Sequence, residues 1–112
     1  MSNKPLVFIC SPFGGDVERN TEKAAGYCRF VFSQNLVPYA PHLHNPIFLK
    51  ENIPEEREAG ISLGLEILKH CDELWSFGET VSAGMQIELS FAKENGIPIK
   101  YFNEKCEEVK IK

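Results

Sequence analysis

ELWSFGETVSAGMQIELSFAKENGIPIKYF, residues 73–102, carries the pattern from which the fold class is predicted. Two short runs of apolar and β-forming residues, 73–77 and 97–102, have the character of buried strands. The segment between them has helical signals, because Ser82 suits the start of a helix and Gly96 suits the position just past its end. A strand, a helix and a strand in this order predict a parallel strand pair joined by a right-handed crossover.

The N-terminal part of the chain has the same alternation of strands and helices. PLVFIC (5–10) is a continuous apolar run typical of a strand that is buried on both faces. Residues 16–34 have helical periodicity, with Asp16 as a suitable N-cap. NLVPYAP (35–41) is a second short strand that ends at a proline.

Two further segments complete the predicted order of elements. HLHNPIFLKENIP (42–54) lacks any period and contains two prolines, so it is predicted to be a long loop. Pro54 then opens a helix that runs to about His70. The prediction is an α/β fold of one domain, residues 1–112, with a small open parallel sheet of four to five strands and helices on both faces. This arrangement is flavodoxin-like, and EVKI (108–111) is the candidate edge strand.

The composition argues against several classes of function. The 112 residues are 43% hydrophobic and carry a net charge of −4, which disfavours a nucleic-acid polymer or an anionic membrane as partner. No apolar run approaches the roughly 20 residues of a membrane span, and no signal peptide is recognisable. The cysteines match neither zinc-site nor CxxC spacing, so we expect free thiols in a reducing cytoplasm, three of them in the core. They are Cys10, Cys28, Cys71 and Cys106.

Three segments follow predicted strands at the carboxyl ends, where open parallel sheets bind their ligands. They are SPFGGD (11–16), PHLHNP (41–46) and GETVSAGMQIE (78–88). We expect these segments to converge on a single cleft. The residues expected to border it are Ser11, Gly14, Gly15, His42, Ser82 and Glu88.

Glu88 has two interpretations at this level. It lies either on the solvent face of an ordinary helix or in a cleft where the carboxylate has a chemical role. Gly84 is four residues earlier on the same helix face and leaves room for a small ligand above the carboxylate. The adjacent glycines of SPFGGD and the helix start at Ser82 suit an anion, although turn formation and helix capping explain the same residues.

The predicted helix after Pro54 has glycines on one face. Gly60 and Gly64 share this face with Arg57, and each glycine costs about 1 kcal/mol of helix stability relative to alanine. Something is therefore expected to approach closely: a ligand held by Arg57, a second helix across a homodimer contact, or a neighbouring part of the same chain. The two histidines of HLH lack a third ligand, so neither a metal nor a cofactor is predicted.

The layout of VFICSPFGGD (7–16) and CDELWSFGETVSAGMQIELSFAKENGIPI (71–99) resembles the nucleoside 2-deoxyribosyltransferase-like families. These include the deoxynucleoside 5′-monophosphate N-glycosidases, and the chain is most similar to an uncharacterised bacterial and phage branch. The similarity covers nearly the whole chain. Its most specific element is a strand followed by Ser82-x-Gly84-x-x-x-Glu88 at the start of a helix.

The resemblance implies a function and assigns roles to residues. It implies that Glu88 is the nucleophile that cleaves or transfers the N-glycosidic bond of a nucleoside or a nucleoside 5′-monophosphate, with the helix N-terminus keeping it ionised. The loop after the first strand then contacts sugar or phosphate, and Ser82 contacts phosphate. The residues expected to bind substrate are Ser11, Phe13, Gly14, Gly15, His42, Arg57, Ser82, Gly84 and Met85.

Two positions depart from the pattern of the active members. Gly64 stands where they carry an Asp, and Val7 and Phe8 stand where an aromatic hydroxyl is expected on the first strand. The alternative function is therefore a module of the same fold that binds a nucleotide-like ligand without turnover. In the resembled families subunits complete one another's sites, so we expect a homodimer or larger assembly with the glycine-bearing helix near the contact.

Overall fold

A five-stranded sheet forms the centre of the protein, and its strand order is β2-β1-β3-β4-β5. The computed structural model describes residues 4–110. The strands are β1 Leu6–Cys10, β2 Val37–Tyr39, β3 Glu73–Phe77, β4 Ile99–Phe102 and β5 Glu108–Val109. The first four strands pair in parallel, and β5 is antiparallel to β4. The strand order reverses between β1 and β3, so the carboxyl ends of these strands flank a crevice of the kind in which α/β proteins bind ligands.

Helices cover both faces of the sheet, as predicted. The helices are α1 Val17–Ser33, α2 Pro41–His44, α3 Pro54–Leu68 and α4 Ala83–Glu94, with a 3-10 turn at Asn45–Ile47. Alternate residues of β1 pack on opposite faces of the sheet. Val7 and Ile9 pack with α1, whereas Phe8 and Cys10 pack with α3 and α4. The fold is thus a mixed α/β fold of the flavodoxin-like type, and the sequence-based prediction of fold class is confirmed.

Three details of the prediction are corrected. Residues 42–54 are not a continuous loop, because α2 and the 3-10 turn occupy its first part, and such short turns produce no hydrophobic period. Two cysteines rather than three are buried, namely Cys10 and Cys71. The predicted edge strand EVKI is reduced to Glu108–Val109, and its last residue lies outside the described residues. None of the helices within residues 4–110 has the length and apolar character that crossing a bilayer requires.

The glycine face of α3 packs against the same chain. Gly64 is buried, and a Cβ atom there would meet Phe8 Cζ at 3.8 Å and Pro41 Cβ at 3.9 Å. A Cβ at Gly60 would lie 3.4 Å from the Asn45 side-chain nitrogen. The expectation of a partner helix on this face is therefore wrong, because β1 and α2 fill the space at Gly64 and the side chains of Asn45 and Leu49 lie beside Gly60.

Candidate active site

A cavity of about 460 Å³ lies at the carboxyl end of β1, between α2 and the N-terminal turns of α3 and α4. Its size falls within the range of roughly 300–1,000 Å³ that is usual for small-molecule sites. The structure brings nearly all the sequence-predicted site residues to its wall. Those residues are Ser11, Phe13, Gly14, His42, Arg57, Ser82, Gly84, Met85 and Glu88. Gly15 is the exception: it lies outside the wall and has a φ of +87°, which forms the turn into α1.

The first turn of α4 is fixed by its own capping interactions. The Met85 backbone N–H donates to Ser82 Oγ at 3.2 Å, and the Ser82 N–H points at Met85 Sδ at 3.5 Å. These contacts make Ser82 the N-cap, as the sequence predicts. A Cβ at Gly84 would meet no atom within 4 Å, so this glycine leaves open space beside the helix start.

Glu88 lies one and a half turns into α4 and is only 7% exposed, so it does not lie on the solvent face. Burial raises the pKa of its carboxyl to about 7, and a hydrogen bond from the Cys10 thiol opposes this rise. We expected the helix N-terminus to keep Glu88 ionised, but burial outweighs this effect on its pKa. The influence of a helix N-terminus fades beyond the first turn. Glu88 is thus a buried carboxyl group at a cavity wall that changes charge near neutral pH.

His42 is held in one orientation by two contacts. Its Nε2 lies 2.6 Å from the backbone carbonyl oxygen of Ser11, and its ring stacks on Phe13 with centroids 4.8 Å apart. A carbonyl oxygen accepts only, so Nε2 carries the proton and donates. Burial lowers the pKa of His42, although the Ser11 hydrogen bond opposes this. The neutral ring leaves Nδ1 as a hydrogen-bond acceptor.

Asn20 fixes the loop that carries Phe13. Its side-chain Nδ2 donates to the carbonyl oxygens of Phe13 at 3.1 Å and Gly14 at 3.0 Å. Asn20 does not stand out in the sequence, since an asparagine in the first turns of a helix is also a common solvent-facing residue. The sequence signal for this role is the position of Asn20, one helical turn after the Asp16 N-cap.

Tyr39 was also missed by the sequence analysis. It lies on β2 directly beside Phe8 in the strand register. Burial raises the pKa of the Tyr39 hydroxyl, and the charges of Cys71 and Glu88 add to this. An aromatic hydroxyl thus lies close enough to Glu88 for the charge of Glu88 to raise its pKa. It belongs to the second strand and not to the first. Only the strand order, which the sequence does not specify, brings β2 next to β1.

Two buried polar atoms on cavity-lining residues lack a hydrogen-bond partner within residues 4–110. They are Ser11 Oγ and Asn45 Oδ1. The amide nitrogen of Asn45 donates to the Gly60 carbonyl oxygen at 3.1 Å, which ties the 3-10 turn to α3. No three His, Cys, Asp or Glu side chains of the described residues cluster as metal ligands do.

Comparisons with known proteins agree with the fold. Residues 5–102 match the model of a family described as a domain of unknown function, DUF7768. No curated protein matches the sequence. The structure is similar to a 2-deoxyribosyltransferase from the psychrotolerant bacterium Bacillus psychrosaccharolyticus, with a TM-score of 0.71 and 17% identity over 88% of this chain and 72% of that chain. It is also similar to a 2-deoxyribosyltransferase from Leishmania mexicana, with a TM-score of 0.62 and 14% identity over 88% of this chain and 64% of that chain.

Proposed function

The chain belongs to the DUF7768 family of domains of unknown function, and we propose that this domain cleaves or transfers the N-glycosidic bond of a nucleoside or nucleoside 5′-monophosphate. Glu88 is the proposed nucleophile. The observation that carries the proposal is a carboxyl group, 7% exposed, on the wall of a cavity of about 460 Å³. The proteins of similar fold, two 2-deoxyribosyltransferases, support the choice of a nucleoside as substrate.

The proposed chemistry has two steps. The ionised Glu88 carboxylate attacks the anomeric carbon, an O–C bond forms and the C–N bond breaks. The electron pair of the broken bond leaves with the base, which takes a proton from water. Water or a second base then attacks the same carbon and releases the carboxylate. The first step needs ionised Glu88, so a pKa of about 7 makes the nucleophile available from neutral pH upward.

The cavity wall offers separate surfaces for the parts of such a substrate. Phe13 and His42 present a stacked pair of rings and a hydrogen-bond acceptor. Arg57 lies on the wall together with the first turn of α4 at Ser82 and Gly84. No ion pair within residues 4–110 involves Arg57. A guanidinium group and free helix N–H groups together suit a phosphate or a sugar hydroxyl.

A second candidate function is nucleotide binding without turnover. Gly64 favours it, because the resemblance expects a carboxylate at this position and the structure packs Gly64 against Phe8 and Pro41. With glycine at position 64, this part of α3 provides no acidic side chain that could assist departure of the base. Under this alternative the same cavity and the same contacts hold the ligand, and the base stays attached.

We also propose a homodimer or larger assembly, now through the outer side of α3 and α4. Leu63 is 42% exposed, Ile67 37% and Ile87 43%. Ile87 also lines the cavity, so a partner on this surface would lie close to the site. Sedimentation of the native protein and of Leu63→Lys tests this proposal: a native oligomer that dissociates in the variant supports it, and a native monomer contradicts it.

A substrate panel tests the proposed activity. Ribonucleosides, deoxyribonucleosides and their 5′-monophosphates are incubated with the native protein, and free base is measured by chromatography. We expect release of base from at least one class, loss of release in Glu88→Gln, and full release in Glu94→Gln, which changes an exposed carboxylate at the end of the same helix. Calorimetric binding of a panel member without release of base would instead establish the binding module.

A further inference from the structure

The side-chain donors of His42 and Asn45 are both committed to backbone carbonyl groups. His42 Nε2 lies 2.6 Å from the Ser11 carbonyl oxygen and donates to it. Asn45 Nδ2 donates to the Gly60 carbonyl oxygen at 3.1 Å. A carbonyl oxygen only accepts, so these contacts fix the tautomer of the neutral imidazole and the orientation of the amide. Each side chain is left with an acceptor, which is Nδ1 in His42 and Oδ1 in Asn45.

Both acceptors belong to one part of the cavity wall. His42 and Asn45 are three residues apart, in α2 and at the start of the 3-10 turn, and both residues line the cavity. Asn45 Oδ1 is enclosed and has no partner within residues 4–110. His42 Nδ1 has no partner there either, but it is not among the enclosed polar atoms, so a ligand can reach it. Neither side chain keeps a free donor, so a ligand group that binds here has to supply the donor itself.

The His42 ring is held firmly enough to discriminate between ligands. Phe13 stacks on it with the centroids 4.8 Å apart and the planes inclined by 24°. Asn20 in turn holds the loop that carries Phe13, through the carbonyl oxygens of Phe13 and Gly14. Burial lowers the pKa of His42, so the ring is neutral and Nδ1 accepts at pH 7 and above. A fixed acceptor rejects a ligand that places a second acceptor against it, because both are then left unpaired.

The base of a nucleoside is the part that suits this wall. The proposed reaction places the sugar at Glu88, and Arg57 and the first turn of α4 suit a phosphate or a hydroxyl group. Phe13 and His42 supply the aromatic surface, and bases stack on aromatic side chains. The lone pair of Nδ1 lies in the plane of the imidazole ring and can meet the edge of a base. The exocyclic amino group of adenine or cytosine is a donor, whereas an oxo group is an acceptor.

We propose that His42 makes the site selective for a base with an exocyclic amino group next to a ring-nitrogen acceptor, as in adenine and cytosine. The amino group donates to His42 Nδ1. The unpaired Oδ1 of Asn45 is a second acceptor at this wall and further disfavours an oxo group. The inference rests on the proposed function, because it takes the ligand to be a nucleoside or nucleotide, and it holds for cleavage and for binding without turnover alike.

Matched ligands test this selectivity in Glu88→Gln, in which we expect the bound ligand to stay intact. The ligands are ribo- and deoxyribonucleosides and their 5′-monophosphates. Adenine is compared with hypoxanthine and purine, and cytosine with uracil and pyrimidin-2-one. Hypoxanthine and uracil carry an oxo group in place of the amino group, whereas purine and pyrimidin-2-one carry hydrogen there and keep the ring nitrogen as an acceptor. By calorimetry we expect adenine or cytosine to bind about tenfold or more tightly than both of its counterparts.

Two substitutions made in the same background separate the roles of the His42 nitrogens. In His42→Asn the side-chain oxygen can take the place of Nδ1. In His42→Gln the amide nitrogen can take the place of Nε2 and keep the contact with Ser11, but no acceptor stands at Nδ1. The preference for the amino group should disappear in His42→Gln and persist in part in His42→Asn. His44→Gln is the control, because His44 is exposed on the same helix and should leave the preference unchanged.

The possible outcomes distinguish this inference from the proposed function. Equal affinity for amino, oxo and unsubstituted bases overturns the inference alone, as does a preference that survives in His42→Gln. Failure of every ligand to bind overturns the inference and the proposed function together. The ligand series needs no substitution at position 42, so it decides even if the His42 variants do not fold.

A measurement on the native protein tests the premise without any ligand. In ¹⁵N NMR at pH 7 and above, we expect a proton on Nε2 of His42 and none on Nδ1, with the resonances assigned by their absence in His42→Gln or His42→Asn. A proton on Nδ1 in place of Nε2 would overturn the inference, because the wall would then offer a donor to the ligand.

Discussion

Replacement of Glu88 by Gln should stabilise the protein at alkaline pH, although it removes the proposed nucleophile. The carboxyl of Glu88 has a pKa of about 7 in the folded protein against 4.5 as its ordinary value. Below pH 4.5 the group is protonated in both the folded and the unfolded state, and burial carries no penalty. Above pH 7 it is ionised in both, and the buried charge lowers the free energy of unfolding by about 3 kcal/mol. Stability contributed by protonated Glu88 is thus lost as the pH rises through this window.

Gln has nearly the same shape and no charge. The free energy of unfolding of Glu88→Gln minus that of the native protein should therefore increase by about 3 kcal/mol between pH 4.5 and about pH 8.5. In thermal unfolding this corresponds to a shift in Tm on the order of 10 °C for a chain of this size. Urea unfolding followed by the fluorescence of Trp75, the one tryptophan of the chain, measures the difference directly.

Glu94→Gln is the matched control, because Glu94 is exposed on the same helix. A surface substitution of this kind is expected to change stability by no more than about 0.5 kcal/mol at either pH. A stability difference between Glu88→Gln and the native protein that is the same at both pH values would contradict this prediction. It would mean that burial of the ionised Glu88 carboxylate does not destabilise the folded state.

Further predictions concern activity and packing. If the protein turns over a nucleoside, kcat/KM should rise with pH through about 7, because the nucleophile must be ionised; a rate that falls over this range contradicts the role of Glu88. Gly64→Ala should raise the free energy of unfolding by up to about 1 kcal/mol, since the new Cβ makes ordinary contacts at 3.8 and 3.9 Å, whereas Gly64→Leu should lower it by about 1–3 kcal/mol through overpacking. Urea unfolding separates these outcomes, and a stable Gly64→Leu would show that the space is larger than described. Ser82→Ala should cost about 1 kcal/mol through the lost cap of α4, measured in the same way; an unchanged stability would mean that the cap is replaced by water.

Much of the fold could be predicted from the sequence, because β1, β3 and β4 are short apolar runs with clear ends and α1, α3 and α4 have a period or a cap. α2 could not be predicted in this way, since Pro41–His44 is a single turn and offers no period. The glycines of α3 indicated a close neighbour, as the structure shows at Gly64, but nothing in the sequence tells whether that neighbour is a ligand, a partner or β1.

Most of the candidate site was predictable from the strand ends, because parallel strands bring their carboxyl ends to one edge of the sheet. The burial of Glu88 was not, since helical periodicity relates residues of α4 to one another and does not show which face meets the sheet. Cys10 and Tyr39 were missed for a related reason. The proximity of Tyr39 to Glu88 depends on β1 and β2 being neighbours and on the register of Phe8 with Tyr39, and that of Cys10 depends on α4 packing over β1.

Covalent trapping can show directly whether Glu88 is a nucleophile. 2′-Deoxy-2′-fluoronucleosides and their 5′-monophosphates carry a fluorine that destabilises the oxocarbenium-like transition states and slows hydrolysis of a glycosyl-enzyme intermediate. Intact-protein and peptide mass spectrometry should show one fluorinated sugar on Glu88, matched by one equivalent of released base, and no adduct in Glu88→Gln. An adduct on another residue, or release of base by Glu88→Gln at the native rate, would contradict the account.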